Sequence, residues 1–123
     1  MKTAVILFAH GARDPEWALP MRRVQALVRE QSAGVDIELA FLEFMAPTLG
    51  ECVGALAARG VGRIVVLPMF IARGGHLKRE VPEMIDALRS THPGIDISLA
   101  AVIGEQDTVV RAMAAAAVEV AGL

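Results

Sequence analysis

Three histidines stand in the sequence, and two of them share a setting. His10 ends an apolar run and is followed by Gly11, while His76 follows Gly74-Gly75. A neutral imidazole carries a nitrogen lone pair that can hold a divalent metal ion or take a proton. Glu43, just beyond a second apolar run, is a possible third group of this kind. A permanent zinc site wants about four ligands. Two histidines and one carboxylate make a sparser site with open positions, which suits a protein that hands its metal on. Glu80 lies four residues after His76, so on a continuous helix its carboxylate reaches the imidazole and can orient it or take protons. A single loop histidine more often only hydrogen-bonds backbone. Two of them, each beside glycine, favour a working site.

Around these residues lie cations and large apolar side chains. Arg73, Lys78 and Arg79 bracket His76, and Arg13 follows His10. Arginine suits carboxylates and phosphates, although a solvated basic turn has the same composition. Phe8, Phe41, Phe44 and Phe70 fall near strand ends, together with Met45 and Met69. Phe8 and Phe41 read as core. Phe44, Met45 and Phe70 are freer to wall a slot for a flat apolar ring. Gly74 and Gly75 let backbone approach a ligand or take positive φ. The glycines match neither the P-loop nor the dinucleotide-binding spacing, so no nucleotide is expected. Trp17 is expected to pack the first helix on the sheet or on a partner. Cys52 reads as a small buried side chain, and His92, in a helix-ending turn, is given no role.

The elements that must position these groups alternate. Apolar runs cover Thr3–Ala9, Ile37–Leu42, Arg63–Met69 and Ile95–Val102. The first and third are near-continuous Val, Ile and Leu, the pattern of central parallel strands covered on both faces. Helical spacing marks Trp17–Gln31, Pro47–Arg59, Arg79–Thr91 and Gln106–Ala121. Gly34, Gly60 and Gly94 follow three of these as left-handed caps, and Pro47 fits a first helical turn. Pro20 implies that the first helix kinks or begins near Leu19. Pro82 implies that the third begins near Glu80, with His76 in a loop or irregular turn. The β-α-β-α order predicts one α/β domain over residues 1–123. It is a three-layer open sheet of four parallel strands, flavodoxin-like, in the order 2-1-3-4. Ligands bind such sheets beyond the strands' carboxyl ends where the order reverses, between strands one and three. That topological argument brings His10 and His76 together.

Composition bounds the function. The 123 residues are 54% apolar and carry a net charge of −2. The apolar share fits either an oligomer or an alanine-rich surface. No basic face marks a nucleic-acid binder. No run of about 18 apolar residues marks a membrane span. The start, Met1-Lys2-Thr3-Ala4-Val5-Ile6, is charged and then apolar like a leader, but His10, Arg13 and Asp14 interrupt it, so it reads as a strand. One cysteine cannot staple a fold, and this suits a reducing cytoplasm.

Taken together, these segments resemble a known family. Val5-Ile6-Leu7-Phe8-Ala9-His10-Gly11-Ala12-Arg13-Asp14-Pro15 resembles the opening of the small sirohydrochlorin chelatases, the CbiX-type cobaltochelatases and their iron-inserting relatives. Leu42-Glu43-Phe44-Met45-Ala46-Pro47-Thr48-Leu49 resembles their acidic motif, and Leu67 to His76 with Glu80-Val81-Pro82 their second histidine motif. The motifs come in family order, and the resemblance spans nearly the whole chain. It implies insertion of cobalt or iron into sirohydrochlorin, toward cobalamin or sirohaem, without ATP. His10 and His76 become metal ligands or proton acceptors, with Glu43 assisting, because two pyrrole N–H protons must leave as the metal enters. The basic loop residues meet the substrate's carboxylates. Larger class II chelatases carry two such domains, so the resemblance implies a homodimer here.

The chain departs from the family at two places. Ala12 stands where relatives usually have Ser, and Gly104-Glu105-Gln106-Asp107 lacks a histidine that some relatives show. There is no histidine-rich tail and no cysteine cluster, so no storage tail or iron–sulfur centre is expected. Neither departure touches His10, Glu43 or His76. Nickel remains open beside cobalt and iron, since imidazole and carboxylate accept all three. A histidine phosphatase would place Arg directly before the histidine, where Ala9 stands. A non-catalytic metal or tetrapyrrole carrier, or a subunit of a larger assembly, would share these residues.

Overall fold

Strands form at all four apolar runs, the two central ones near-continuous in Val, Ile and Leu and the two edge ones broken by Glu38 and by Ser98. The computed structural model describes residues 1–123. Its strands are β1 (Thr3–Ala9), β2 (Asp36–Phe41), β3 (Arg63–Pro68) and β4 (Asp96–Leu99). Its helices are α1 (Leu19–Gln31), α2 (Leu49–Ala58), α3 (Leu77–Thr91) and α4 (Asp107–Ala121), with short 3₁₀ turns at Pro15–Ala18 and Ile103–Glu105. The strands make one parallel sheet in the order β2-β1-β3-β4, as the α/β alternation predicts. No helix is long and apolar enough to cross a membrane.

Two apolar layers hold the sheet. On one face Ile6, Phe8, Ile64 and Val66 pack with Val53 and Leu56 of α2 and Val81 and Ile85 of α3. On the other face Leu7, Ala9, Leu39 and Phe41 pack with Met21, Val24 and Val28 of α1. The expected cover on both faces holds for β1, whose Ile6 to Ala9 are all buried. It fails for β3, where Ile64 and Val66 are buried while Val65 and Leu67 remain half-exposed.

Several boundaries differ from the sequence expectation. Asp14 caps the Pro15–Ala18 turn, its side chain accepting from the Glu16 N–H at 2.9 Å. The helix proper starts at Leu19, with Pro20 in its first turn, where a missing N–H costs nothing. Pro47 lies outside α2, which Thr48 opens with a capping box to Glu51. Pro82 sits inside α3, which starts at Leu77 rather than near Glu80. Proline removes one i→i−4 bond, but Val81 and Ile85 anchor the helix from both sides. β4 stops at Leu99, because the chain turns into the 3₁₀ segment at Ile103. Gly34 and Gly60 take left-handed φ of 80° and 79°, whereas Gly94 does not.

Candidate functional site

The register of β1 against β2 continues past both strands. The Leu42 N–H donates to the Ala9 carbonyl at 2.9 Å, and the Glu43 N–H to the His10 carbonyl at 3.0 Å. This continuation needs glycine next to the histidine. Gly11 has φ +91°, and a Cβ there would overlap the Glu43 carbonyl oxygen. The Phe41 N–H donates to the Pro47 carbonyl at 2.9 Å and closes the loop that carries Glu43. His10 and Glu43 are therefore set side by side, with His10 Nε2 3.1 Å from Glu43 Oε1.

His76 is the residue before α3, and its carbonyl accepts from the N–H groups of Arg79 and Glu80 at 3.2 and 3.0 Å. Because α3 continues through Pro82, Glu80 stands one turn along. Its Oε1 lies 3.5 Å from His76 Nε2. The sequence left this geometry conditional, and the early helix start supplies it.

The two histidine–carboxylate pairs open into one cavity of about 430 Å³, lined by His10, Leu42, Glu43, Gly74, Gly75, His76, Leu77 and Glu80. It lies at the carboxyl ends of β1 and β3, where the strand order reverses. No three His, Cys, Asp or Glu side chains converge closely enough to enclose a metal ion. Each pair instead offers two donors to an incoming cation and leaves the remaining positions open.

The surrounding residues divide. Phe70 is buried, tilted against Phe8 with ring centroids 6.0 Å apart. It presents an edge-on contact to the His10 ring at 6.2 Å, so it supports that histidine from beneath. Phe44 is exposed and takes φ 64°. For a bulky residue that conformation costs about 1–2 kcal/mol, and such strain gathers at binding sites. The Arg13 guanidinium lies over the Phe44 ring, 4.7 Å from its centroid. Met45 is half-buried against the α1-side core.

Arg73 pairs with Glu105 at 3.1 Å, which offsets its charge. Sequence reasoning missed this pairing, because Glu105 lies 32 residues from Arg73 and only the fold brings the two loops together. Arg73 and Lys78 line a neighbouring cavity of about 210 Å³ with Phe70, Leu77 and Val81. Gly74 and Gly75 keep ordinary φ, and a Cβ on either would meet nothing within 4 Å. Cys52 is buried in α2, and burial pushes its thiol up to about 11. Trp17 is two-fifths exposed, and His92 ends α3.

Known proteins share this fold. The CbiX family model matches residues 4–120. A sirohydrochlorin cobaltochelatase of Methanopyrus kandleri is 38% identical over 82 residues, which cover 67% of this chain and 57% of that protein. One from Saccharolobus islandicus is 38% identical over 82 residues, covering 66% and 62%. The matched part thus spans less than two thirds of these relatives. A crystal structure described as a cobalamin (vitamin B12) biosynthesis CbiX protein, from Marinobacter aquaeolei, superposes with a TM-score of 0.84 at 31% identity, covering 95% of each chain. SirB from Bacillus subtilis with Fe3+ gives 0.81 at 26% identity, covering 98% of this chain and 48% of that one. The chain belongs to the CbiX family.

Proposed function

We propose that this chain inserts a divalent metal ion, cobalt or iron, into sirohydrochlorin without using ATP. The observation that carries the reading is the pair of histidine–carboxylate couples at one open cavity, His10 with Glu43 and His76 with Glu80. The names of the relatives, sirohydrochlorin cobaltochelatases, support the substrate. A structure of a SirB protein in complex with cobalt, 28% identical, supports cobalt as the metal.

The reaction replaces two pyrrole N–H protons with one M²⁺. The chain's task is to deliver the metal and take those protons. When His10 carries its proton on Nε2, it donates to Glu43 and leaves Nδ1 free as a donor to metal. When Nδ1 holds no metal, it can accept a proton from a pyrrole nitrogen, and Glu43, still accepting from the Nε2–H, stabilises the resulting imidazolium. His76 and Glu80 repeat the device across the cavity. Few protein ligands mean weak holding, and weak holding allows transfer. Arg13, Phe44 and Met45 on one side, with Arg73, Gly74, Gly75 and Lys78 on the other, would meet the macrocycle and its carboxylates, while Phe70 would support His10 from beneath.

In this reading residues 1–123 form a single chelatase domain that works as a homodimer in the cytoplasm. The test is an absorbance time course of sirohydrochlorin with Co²⁺, Fe²⁺ or Ni²⁺, with and without protein. An accelerated shift that disappears in His10→Ala and His76→Ala is expected. Stoichiometric binding of metal or tetrapyrrole with no acceleration, by folded protein, would replace the enzyme with a carrier.

A further inference from the structure

His76 stands at the end of a segment with few bonds of its own. Residues 71 to 76 are all exposed. From Phe70 to Leu77 no backbone N–H donates to a backbone carbonyl, and the first that does is Lys78, to Gly74 at 3.2 Å. Behind the segment Phe70 is buried, and ahead of it Val81 is the first buried residue of α3. A stretch so sparsely bonded between its anchors opens easily.

The turn that follows β4 steadies it. The ladder of β3 and β4 runs one residue on, where the Ala100 N–H donates to the Val66 carbonyl at 2.9 Å. Val102 is buried. The N–H groups of Glu105 and Gln106 donate back to the carbonyls of Val102 and Ile103, at 3.0 and 3.1 Å. The Gln106 side chain donates to the Ala101 carbonyl at 3.3 Å. This turn is therefore held by its own bonds and by the sheet, independently of the segment it meets.

The two meet at two points. The Gly104 N–H donates to the Phe70 carbonyl at 3.0 Å. A Cβ on Gly104 would overlap the Ile71 carbonyl, so backbone lies directly on backbone there. Gly104 has no left-handed φ, and closeness alone requires glycine at this position. The second point is Arg73, three residues before His76, whose Nε donates to Glu105 Oε1 at 3.1 Å. That pair is about half exposed, so it adds little to global stability. Neither Gly104 nor Glu105 lines the cavity that holds the two histidine–carboxylate pairs.

We propose that Gly104 and Glu105 are positioning residues for His76. Gly104 sets how closely the segment lies against the end of the sheet. Glu105 holds Arg73, and with it the glycine pair that leads into His76. Together they fix where His76 stands across the cavity from His10. The inference rests on the proposed role of His76 in metal insertion. It adds that a turn with no group in the cavity decides whether His76 can fill that role. A misplacement of about 1 Å can cost about 100-fold in rate.

Gly104→Ala and Glu105→Ala test the brace in the full chain. Amide exchange at Lys78, Arg79 and Glu80, read by NMR, reports the segment directly and needs no substrate, because these N–H groups bond to Gly74 and His76. Glu105→Ala should quicken it about two- to fivefold, the worth of one half-exposed ion pair, and leave the amides of β1 as slow as in the parent. In cobalt insertion into sirohydrochlorin, Gly104→Ala should lower kcat at least about tenfold and leave the KM for the tetrapyrrole unchanged. Unchanged exchange at Lys78 to Glu80 in Glu105→Ala would overturn the brace, and a lowered tetrapyrrole KM beside it would show that Glu105 only masks the charge of Arg73. A full kcat in folded Gly104→Ala would overturn it as well. If the parent protein does not accelerate insertion, the chelatase reading fails by itself, and the exchange rates still decide whether the turn braces the segment.

Discussion

His10 Nε2 lies 3.1 Å from Glu43 Oε1, although 33 residues separate them in the chain. The contact follows from backbone. The parallel ladder runs on past both strands, one residue beyond β1 to His10 and two beyond β2 to Glu43, whose N–H donates to the His10 carbonyl. Both side chains are about half exposed. The pair is therefore not a stabilising ion pair of any size. It is a donor pair held open to solvent.

Glu43→Gln should separate charge from shape. The amide still fits beside His10 and still hydrogen-bonds it, but it neither stabilises an imidazolium nor takes a proton. Groups that orient and polarise a ligating histidine are worth about 10–100-fold in activity. We expect turnover to fall in that range, with thermal stability unchanged. Full turnover in Glu43→Gln would remove the carboxylate from the mechanism.

Gly11 gives a prediction about the scaffold. Gly11→Ala places a Cβ on the Glu43 carbonyl and forces a non-glycine residue to hold φ +91°. The backbone conformation alone costs about 1–3 kcal/mol. Gly74→Ala is the control, since its Cβ meets nothing and its φ is ordinary. It should stay within about 0.5 kcal/mol of the parent. Urea denaturation of the two variants checks both. Equal midpoints would mean that the His10–Glu43 turn tolerates a side chain.

The strand order and the meeting of the two histidine loops were legible in the sequence, because uninterrupted Val-Ile-Leu runs and helical spacing alternate without ambiguity. The place of the cavity then follows from topology. What was not legible depends on tertiary contact. Pro82 argued for a late start of α3, but burial of Val81 and Ile85 outweighs one lost hydrogen bond. Pro47 looked like a first-turn proline, but Thr48 with Glu51 makes the better cap. Phe70 looked free to line a slot because it ends a strand, and its packing on Phe8 appears only in three dimensions. The left-handed φ of Phe44 has no sequence signal, since no glycine or asparagine marks it.

The α2 cap should be pH-dependent. The Thr48 backbone N–H, and then its hydroxyl, hold the Glu51 carboxyl below its ordinary value of 4.5. A carboxyl lowered by folding stabilises the fold above its unfolded value and loses that contribution as pH falls through the lower folded value. Thr48→Ala should cost about 1 kcal/mol at neutral pH. The difference between parent and Thr48→Ala should shrink below pH 4.5 in urea titrations at stepped pH. A pH-independent difference would show that the Thr48 hydroxyl does not act through the charge on Glu51, which the Thr48 backbone N–H still meets in the variant.

Cys52 should be inert while the chain is folded. Burial is the main cause of its raised thiol value, from 9.0 to about 11, with Glu38 adding to it and Arg59 opposing. The thiolate is the reactive form, and two pKa units amount to about 100-fold less of it at any pH below 9. The sign for stability follows as well. A thiol whose folded value is raised leaves the fold fully stable below 9 and weakens it as pH rises toward 11. Alkylation by iodoacetamide at mildly alkaline pH should therefore be at least about 100-fold slower in native protein than in urea-unfolded protein. Cys52→Ala should leave metal insertion unchanged, because the side chain lies in the α2 core layer away from both histidine pairs. Rapid native-state alkylation would show that α2 opens at Cys52, and the apolar layer over β1 would then be looser than its buried packing implies.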